Sequence, residues 1–231
     1  MKLDQQLPLR FSYNEQQVFE KFQAANNSEL IFRLEQNLRE ERFSSFWVWG
    51  RPGVGVTHIL NAICHRFGIL GQRVAYLPLR EMPADSHLLG GIDSSRLIAI
   101  DNIEEWIGIE ELEIALMGLY QSVLVHHGKI VFGSNKAAKD LLFALADFQS
   151  RCLASSSGLV QPLSDDGKKD LLKNRAKERG LHLDNRVLDY WLNRSPRALA
   201  DLLRQLELLD EAAMRSKKLI TVPFLKSVLK L

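Results

Sequence analysis

The stretch "WVWGRPGVGVTHIL", Trp47 to Leu60, decides how this chain is read. The apolar run Phe46–Trp49 has the look of a short strand. It breaks into Gly50-Arg-Pro-Gly53-Val-Gly55-Val-Thr57, after which apolar residues recur at helical spacing. Strand, glycine loop and helix in that order form the context of a phosphate-binding loop, whose backbone N–H groups cradle an anion at the start of the helix. The pattern G-x-x-x-x-G-K-[ST] fits from Gly50 to Thr57 except that Val56 stands where the lysine belongs. A tight strand-to-helix turn can also want glycines for backbone reasons alone, so the loop by itself leaves both readings open.

Outward from the loop, β-rich runs alternate with helical stretches. The runs are "FWVW" from Phe46, "RVAYLPL" from Arg73, "RLIAID" from Arg96, "KIVFGSN" from Lys129 and "GLVQPL" from Gly158. Ahead of them, Asn27 or Ser28 can cap a helix with apolar face Leu30, Ile31, Leu34 and Leu38. Between the third and fourth runs, Leu112, Leu116, Leu119 and Val123 recur at three and four residues, with Gly128 as the stop. Strands separated by helices predict a parallel five-stranded sheet covered on both faces, an α/β fold. After Leu163 the pattern turns helical throughout. "SDDGKKDLLKNRAKERG", "LDNRVLDYWLNR", "SPRALADLLRQLELLDEAAMRSK" and "TVPFLKSVLKL" predict an all-helical C-terminal domain. The expected division is an arm at 1–13, an α/β domain at 14–163 and a helical domain at 164–231.

Composition bounds the function. The 231 residues are 46% hydrophobic and 25% charged, as in ordinary globular proteins. A net charge of +2 argues against nucleic acid as a main partner, so any DNA contact is expected to be weak or indirect. No apolar run approaches the roughly 20 residues that span a bilayer, and "MKLDQQLPLRF" lacks the apolar core of a signal peptide. Two distant cysteines, Cys64 and Cys152, do not make a disulfide framework, which points to a reducing cytoplasm. Cys64-His65 and His126-His127 lack metal-ligand spacing.

Further pieces accompany the loop. "RLIAIDNIEEW" is an apolar strand ending in Asp101, an acid able to hold the water shell of Mg²⁺ with the Thr57 hydroxyl on the metal's other side; a helix cap is the alternative. "VFGSN" ends a strand in Ser134 and Asn135, either polar groups beside a γ-phosphate or an ordinary polar turn. In this order, and followed by a helical domain, these pieces resemble an AAA+ ATPase, a P-loop NTPase core with a helical lid. Within that superfamily "VFEKFQAANNSEL", "GVTHILNAI" and "SPRALADLLRQLELL" resemble the DnaA branch from about Val18 to the C-terminus. The resemblance implies that Ala25 and Asn26 line the base pocket. It places Pro52, Gly53, Val54, Gly55, Val56, Thr57 and His58 around the phosphates, Ser134 and Asn135 at the first sensor, and Arg197 as the second-sensor arginine. Arg151 in "DFQSRCLASSSGLVQPL" matches the arginine finger, which acts in a neighbouring subunit's site; a surface arginine in a salt bridge is the alternative.

The front of the chain adds "QQLPLRF". Gln6, Leu7, Leu9 and Phe11 resemble the peptide by which proteins dock on the bacterial sliding clamp, and alternate side chains of an extended segment share a face. The same residues could instead pack on their own domain. A clamp peptide on a DnaA-like core resembles the Hda family of regulatory DnaA homologues, which work with the DNA-loaded clamp to make DnaA hydrolyse its ATP. That implies DnaA and the clamp as partners, with nucleoid association through the clamp. Monomer, dimer and short filament stay open. Two departures bear on chemistry. Val56 replaces the lysine, and Asn102 stands where a hydrolytic AAA+ protein orients water with an acid. The backbone cradle survives both, so ADP or another nucleoside diphosphate is the expected ligand, with Mg²⁺ possible and little turnover. A true ATPase acting as initiator or helicase loader is the alternative.

Overall fold

Alternation of strand and helix carries through to the three-dimensional structure. It is a computed structural model, and it describes residues 13–15, 17–22, 25–92, 95–196, 198–217 and 219–231. These residues form two compact units, described separately: Asn27–Val160 with the described residues up to Phe22, and Gln161–Leu231 with the described residues of 23–26.

In the first unit, β1 (Ser44–Trp49), β2 (Val74–Pro78), β3 (Leu97–Asp101), β4 (Lys129–Ser134) and β5 (Ser156–Leu159) form one sheet of order β2-β3-β4-β1-β5. Every pairing is parallel. The strands alternate their side chains between two apolar layers, as a period of two requires. Phe46, Val48, Leu97, Ala99 and Val131 face α1 (Ser28–Arg39) and α2 (Val56–Ile69). Trp47, Ile98, Ile100, Ile130 and Phe132 face α3 (Glu110–Val125) and α4 (Ala146–Ala154). Each such aliphatic or aromatic side chain removed from water contributes about 1.5–3 kcal/mol.

The expected α1 face is buried at Leu30, Leu34 and Leu38, while Ile31 is half-buried. α3 buries Leu112, Leu116, Leu119 and Val123 as its spacing predicts, but its end differs. The left-handed residue is His127 at φ 52°, and the Gly128 N–H then returns to the Val123 carbonyl at 2.9 Å. The fifth strand also differs. It starts at Ser156 rather than Gly158 and stops at Leu159, set by parallel pairing of Phe46 with Ser156 through Trp49 with Leu159. An edge strand needs little apolar surface, and Pro162 cannot donate to a ladder, so "SSGL" rather than "GLVQPL" is extended.

The second unit contains α5 (Asp165–Glu178), α6 (Asn185–Arg194), α7 (Leu199–Ser216) and α8 (Val222–Leu229). Ser164 caps α5 by accepting the Gly167 N–H at 3.1 Å, and Thr221 caps α8 with Pro223 in its first turn. Leu172, Leu188, Trp191, Leu202, Leu206, Leu209 and Leu225 form its core. The buried Trp191 indole donates to Gln205 Oε1 at 2.6 Å.

Candidate functional site

The strand order puts the site where topology favours one. The chain leaves β1 toward β2 on one side and reaches β5 on the other, so β1 and β4 flank the switch point at their carboxyl ends, where open α/β sheets bind ligands. The glycine loop fills that position. The Gly50 N–H donates to the Ser134 carbonyl at 3.1 Å, and the Val54 side chain folds back over Gly50 toward Val160. Gly53 (φ 82°) and Gly55 (φ 111°) are left-handed, a conformation that side chains resist. Gly55 begins α2, whose first N–H groups have no intrahelical carbonyl. Pro52, Gly53 and Thr57 are exposed, and nothing lies within 4 Å of where a Gly53 Cβ would stand.

Val56 stands at the lysine position of the loop pattern. It is half-buried against the apolar layer beneath the loop, and its Cγ1 lies 3.1 Å from where a Gly133 Cβ would be. Leu60 Cδ2 and Asp101 Oδ1 press on the same point at 2.8 and 2.9 Å, so only glycine fits at 133. Asp101 itself is 2% exposed. Its Oδ2 accepts the Tyr76 hydroxyl at 2.9 Å and its Oδ1 the Asn102 N–H at 3.0 Å. Burial, and after it the Asp101 carboxylate, pushes the Tyr76 phenol above its ordinary range, so the hydroxyl keeps its proton and donates. Asn102 is left-handed at φ 56°.

At the end of β4, Ser134 is buried and its Oγ accepts the Lys136 N–H at 3.2 Å. The Asn135 Oδ1 is buried and has no hydrogen-bond partner among the described residues. Glu104 accepts the Asn135 N–H at 3.3 Å and faces Arg80 at 3.5 Å. The sequence reading missed this acid beside the end of β4; the only signal was "NIEE" after Asp101. It also missed Phe22. That ring lies 5.3 Å from the His58 ring, and its Cε2 stands 2.9 Å from where a Gly55 Cβ would be. His58 Nε2 meets the Val18 carbonyl at 2.9 Å, so the segment Val18–Phe22 is fastened to the start of α2. Ala25 and Asn26 lie in a 3-10 turn just before α1, with Asn26 exposed.

Arg151 sits in the last turn of α4, exposed, and pairs with no carboxylate among the described residues. Phe148 and Cys152, not Arg151, anchor that helix. The expected Arg197 and the arm residues Gln6, Leu7, Leu9 and Phe11 lie outside the described residues. Both cysteines are buried thiols, and burial pushes both above their ordinary range.

The phosphates of a nucleotide suit this loop: the open face at Gly53, the left-handed glycines and the N-terminus of α2 are the parts of an anion cradle. A divalent cation does not fit at Asp101. The carboxylate is buried, and each of its oxygens accepts a hydrogen bond, one from the Tyr76 hydroxyl and one from the Asn102 N–H. No cluster of three or more His, Cys, Asp or Glu able to hold a metal occurs among the described residues, and no helix there is long and apolar enough to cross a membrane.

Comparison with known proteins agrees with this architecture. Residues 165–229 match the family described as "Hda, lid domain". The structure of domain III of the Thermotoga maritima replication initiation protein DnaA superposes with a TM-score of 0.80 at 17% identity, over 95% of this chain and 98% of that one. AMPPCP-bound DnaA from Aquifex aeolicus gives 0.67 at 21% identity, over 88% of this chain and 69% of that one. The Thermotoga maritima RuvB Holliday junction branch migration motor gives 0.68 at 14%, over 88% and 69%. The chain therefore has the fold of DnaA domain III, and its residues 165–229 match the lid domain of the Hda family.

Proposed function

We propose that this protein is a DnaA-like AAA+ regulator that binds a nucleoside diphosphate, docks on the DNA-loaded sliding clamp and stimulates ATP hydrolysis by DnaA, restraining replication initiation. Residues 1–13 serve as the clamp-binding arm, 14–163 as the nucleotide-binding domain and 164–231 as the lid. The observation that carries the reading is the loop itself: an anion cradle at the switch point in which Val56 is turned into the apolar layer. Losing one charge-assisted contact costs on the order of 1.5–3 kcal/mol, about 10- to 100-fold in affinity, which binding survives. The missing lysine matters more for the γ-phosphate and for charge in the transition state, as does an amide at Asn102 in place of an acid. The nucleotide is then held rather than consumed. The lid match supports the regulatory reading, and solved DnaA structures with AMPPCP support nucleotide binding.

Native mass spectrometry of the purified protein should find a nucleoside diphosphate, and its base identifies itself in the same measurement. Phosphate release from ATP by the protein alone should stay at background. Robust release that Thr57→Ala abolishes would instead identify a motor or loader with its own turnover.

Docking on the clamp rests on Gln6, Leu7, Leu9 and Phe11. A proline such as Pro8 stiffens the peptide around it, which lowers the entropy lost when such a peptide binds. Replacing Gln6 and Leu7 together with Ala should abolish clamp pull-down while leaving thermal stability and nucleotide content at wild-type values. Lost stability with clamp binding intact would assign the arm to packing on its own domain.

A further inference from the structure

We infer, building on the nucleotide reading above, that the loop takes its nucleoside diphosphate without a divalent cation, because the carboxylate that would hold the metal's water is withdrawn into a sealed contact with Tyr76.

Magnesium at a nucleotide site keeps several waters and is held through carboxylates together with the phosphates. The acid that serves it must therefore face the phosphate side and reach solvent. Asp101 does not reach solvent. It is the last residue of β3, directly beside β4, and is 2% exposed. It is closed although the loop residues Pro52, Gly53 and Thr57 are all exposed. The closure has identifiable parts. Val56 and Leu60, both on α2, bear on the Gly133 backbone from the same side as Asp101 Oδ1. Each carboxylate oxygen already accepts a hydrogen bond, one from the Tyr76 hydroxyl and one from the Asn102 N–H. Tyr76 comes from β2, paired across β3 in a register that sets Tyr76 opposite Ala99 and Pro78 opposite Asp101.

Val56 and Tyr76 are two halves of one arrangement. A lysine at 56 would bring a cation toward the buried anion. With valine there, the anion needs another donor, and the Tyr76 hydroxyl supplies it without adding charge. The result is a neutral-donor seal beneath the loop. Phosphate charge then falls on the loop's N–H groups and the α2 N-terminus.

The test is the equilibrium affinity of the full chain, stripped of nucleotide, for ADP in magnesium and in EDTA. The two dissociation constants should agree within about threefold. A loss of affinity greater than that in EDTA overturns the inference and leaves the nucleotide reading standing. In parallel, Mn²⁺ replaces Mg²⁺ and electron paramagnetic resonance is recorded with ADP and saturating protein. The spectrum should show no protein-bound Mn²⁺; one ion bound per protein–ADP complex overturns the inference. Absence of ADP binding in both buffers defeats the nucleotide reading itself, and the inference falls with it.

Discussion

Arg151→Ala is expected to fold normally, keep its nucleotide and bind the clamp, yet stimulate DnaA's ATPase at least about 10³-fold less than the wild type. A finger arginine neutralises charge on the phosphoryl group in transfer and contributes roughly 10³–10⁵ in rate. The structure is compatible with such a role because α4 spends nothing on Arg151. The side chain is exposed in the last turn, pairs with no carboxylate among the described residues, and leaves the anchoring of the helix to Phe148 and Cys152. Truncating it removes no core contact, so a defect confined to the partner's turnover would be a functional signature. Arg151→Lys should also do poorly, because a point charge does not reproduce the planar fork of the guanidinium. Single-turnover hydrolysis by DnaA with each variant decides the matter. Wild-type stimulation by Arg151→Ala would return this residue to the ordinary surface.

Glu113→Ala is expected to destabilise the α/β unit by at least about 3 kcal/mol. Glu113 on α3 is 0% exposed. Its Oε1 accepts the N–H groups of Gly108 at 2.6 Å and Ala144 at 3.0 Å, and its Oε2 that of Leu145 at 2.7 Å. Leu145 is the cap residue of α4, so one buried anion ties α3 to the start of the helix that carries Arg151. Alanine removes three hydrogen bonds to a fully buried carboxylate, and bonds to a charged group run about 1.5–3 kcal/mol each. For a chain of this size, about 3 kcal/mol lowers the melting temperature by about 6–12 °C. Glu113→Gln keeps one oxygen acceptor and should fall between. A melting temperature for Glu113→Ala within about 2 °C of wild type would show that water or a backbone shift replaces the carboxylate. The same contact explains an acid that looks like surface charge in "EELEIALMGLY".

What the sequence by itself determined is the part of this protein governed by local physics. Apolar runs of four to six residues marked β1 to β4, and residues at helical spacing marked α1, α3 and the helices of the lid, because those signals repeat every two or every 3.6 residues. The glycine loop was legible for the same reason: Gly53 and Gly55 are demanded by left-handed backbone within a few residues. The loss of lysine at Val56 was equally plain. β5 was displaced because Ser156 and Ser157 carry no strand pattern; they are extended only because β1 offers them a ladder. Tertiary structure alone decided what surrounds the loop. The Tyr76–Asp101 bond spans 25 residues, Glu104–Asn135 spans 31 and His58–Val18 spans 40. Such pairs meet only when parallel strands are ordered β2-β3-β4-β1-β5, and that order follows from how crossover helices bury their apolar faces on the sheet, which no periodicity within a segment records. That is why Asp101 reads as a strand-end acid in one dimension and is a buried carboxylate bonded to Tyr76 in three.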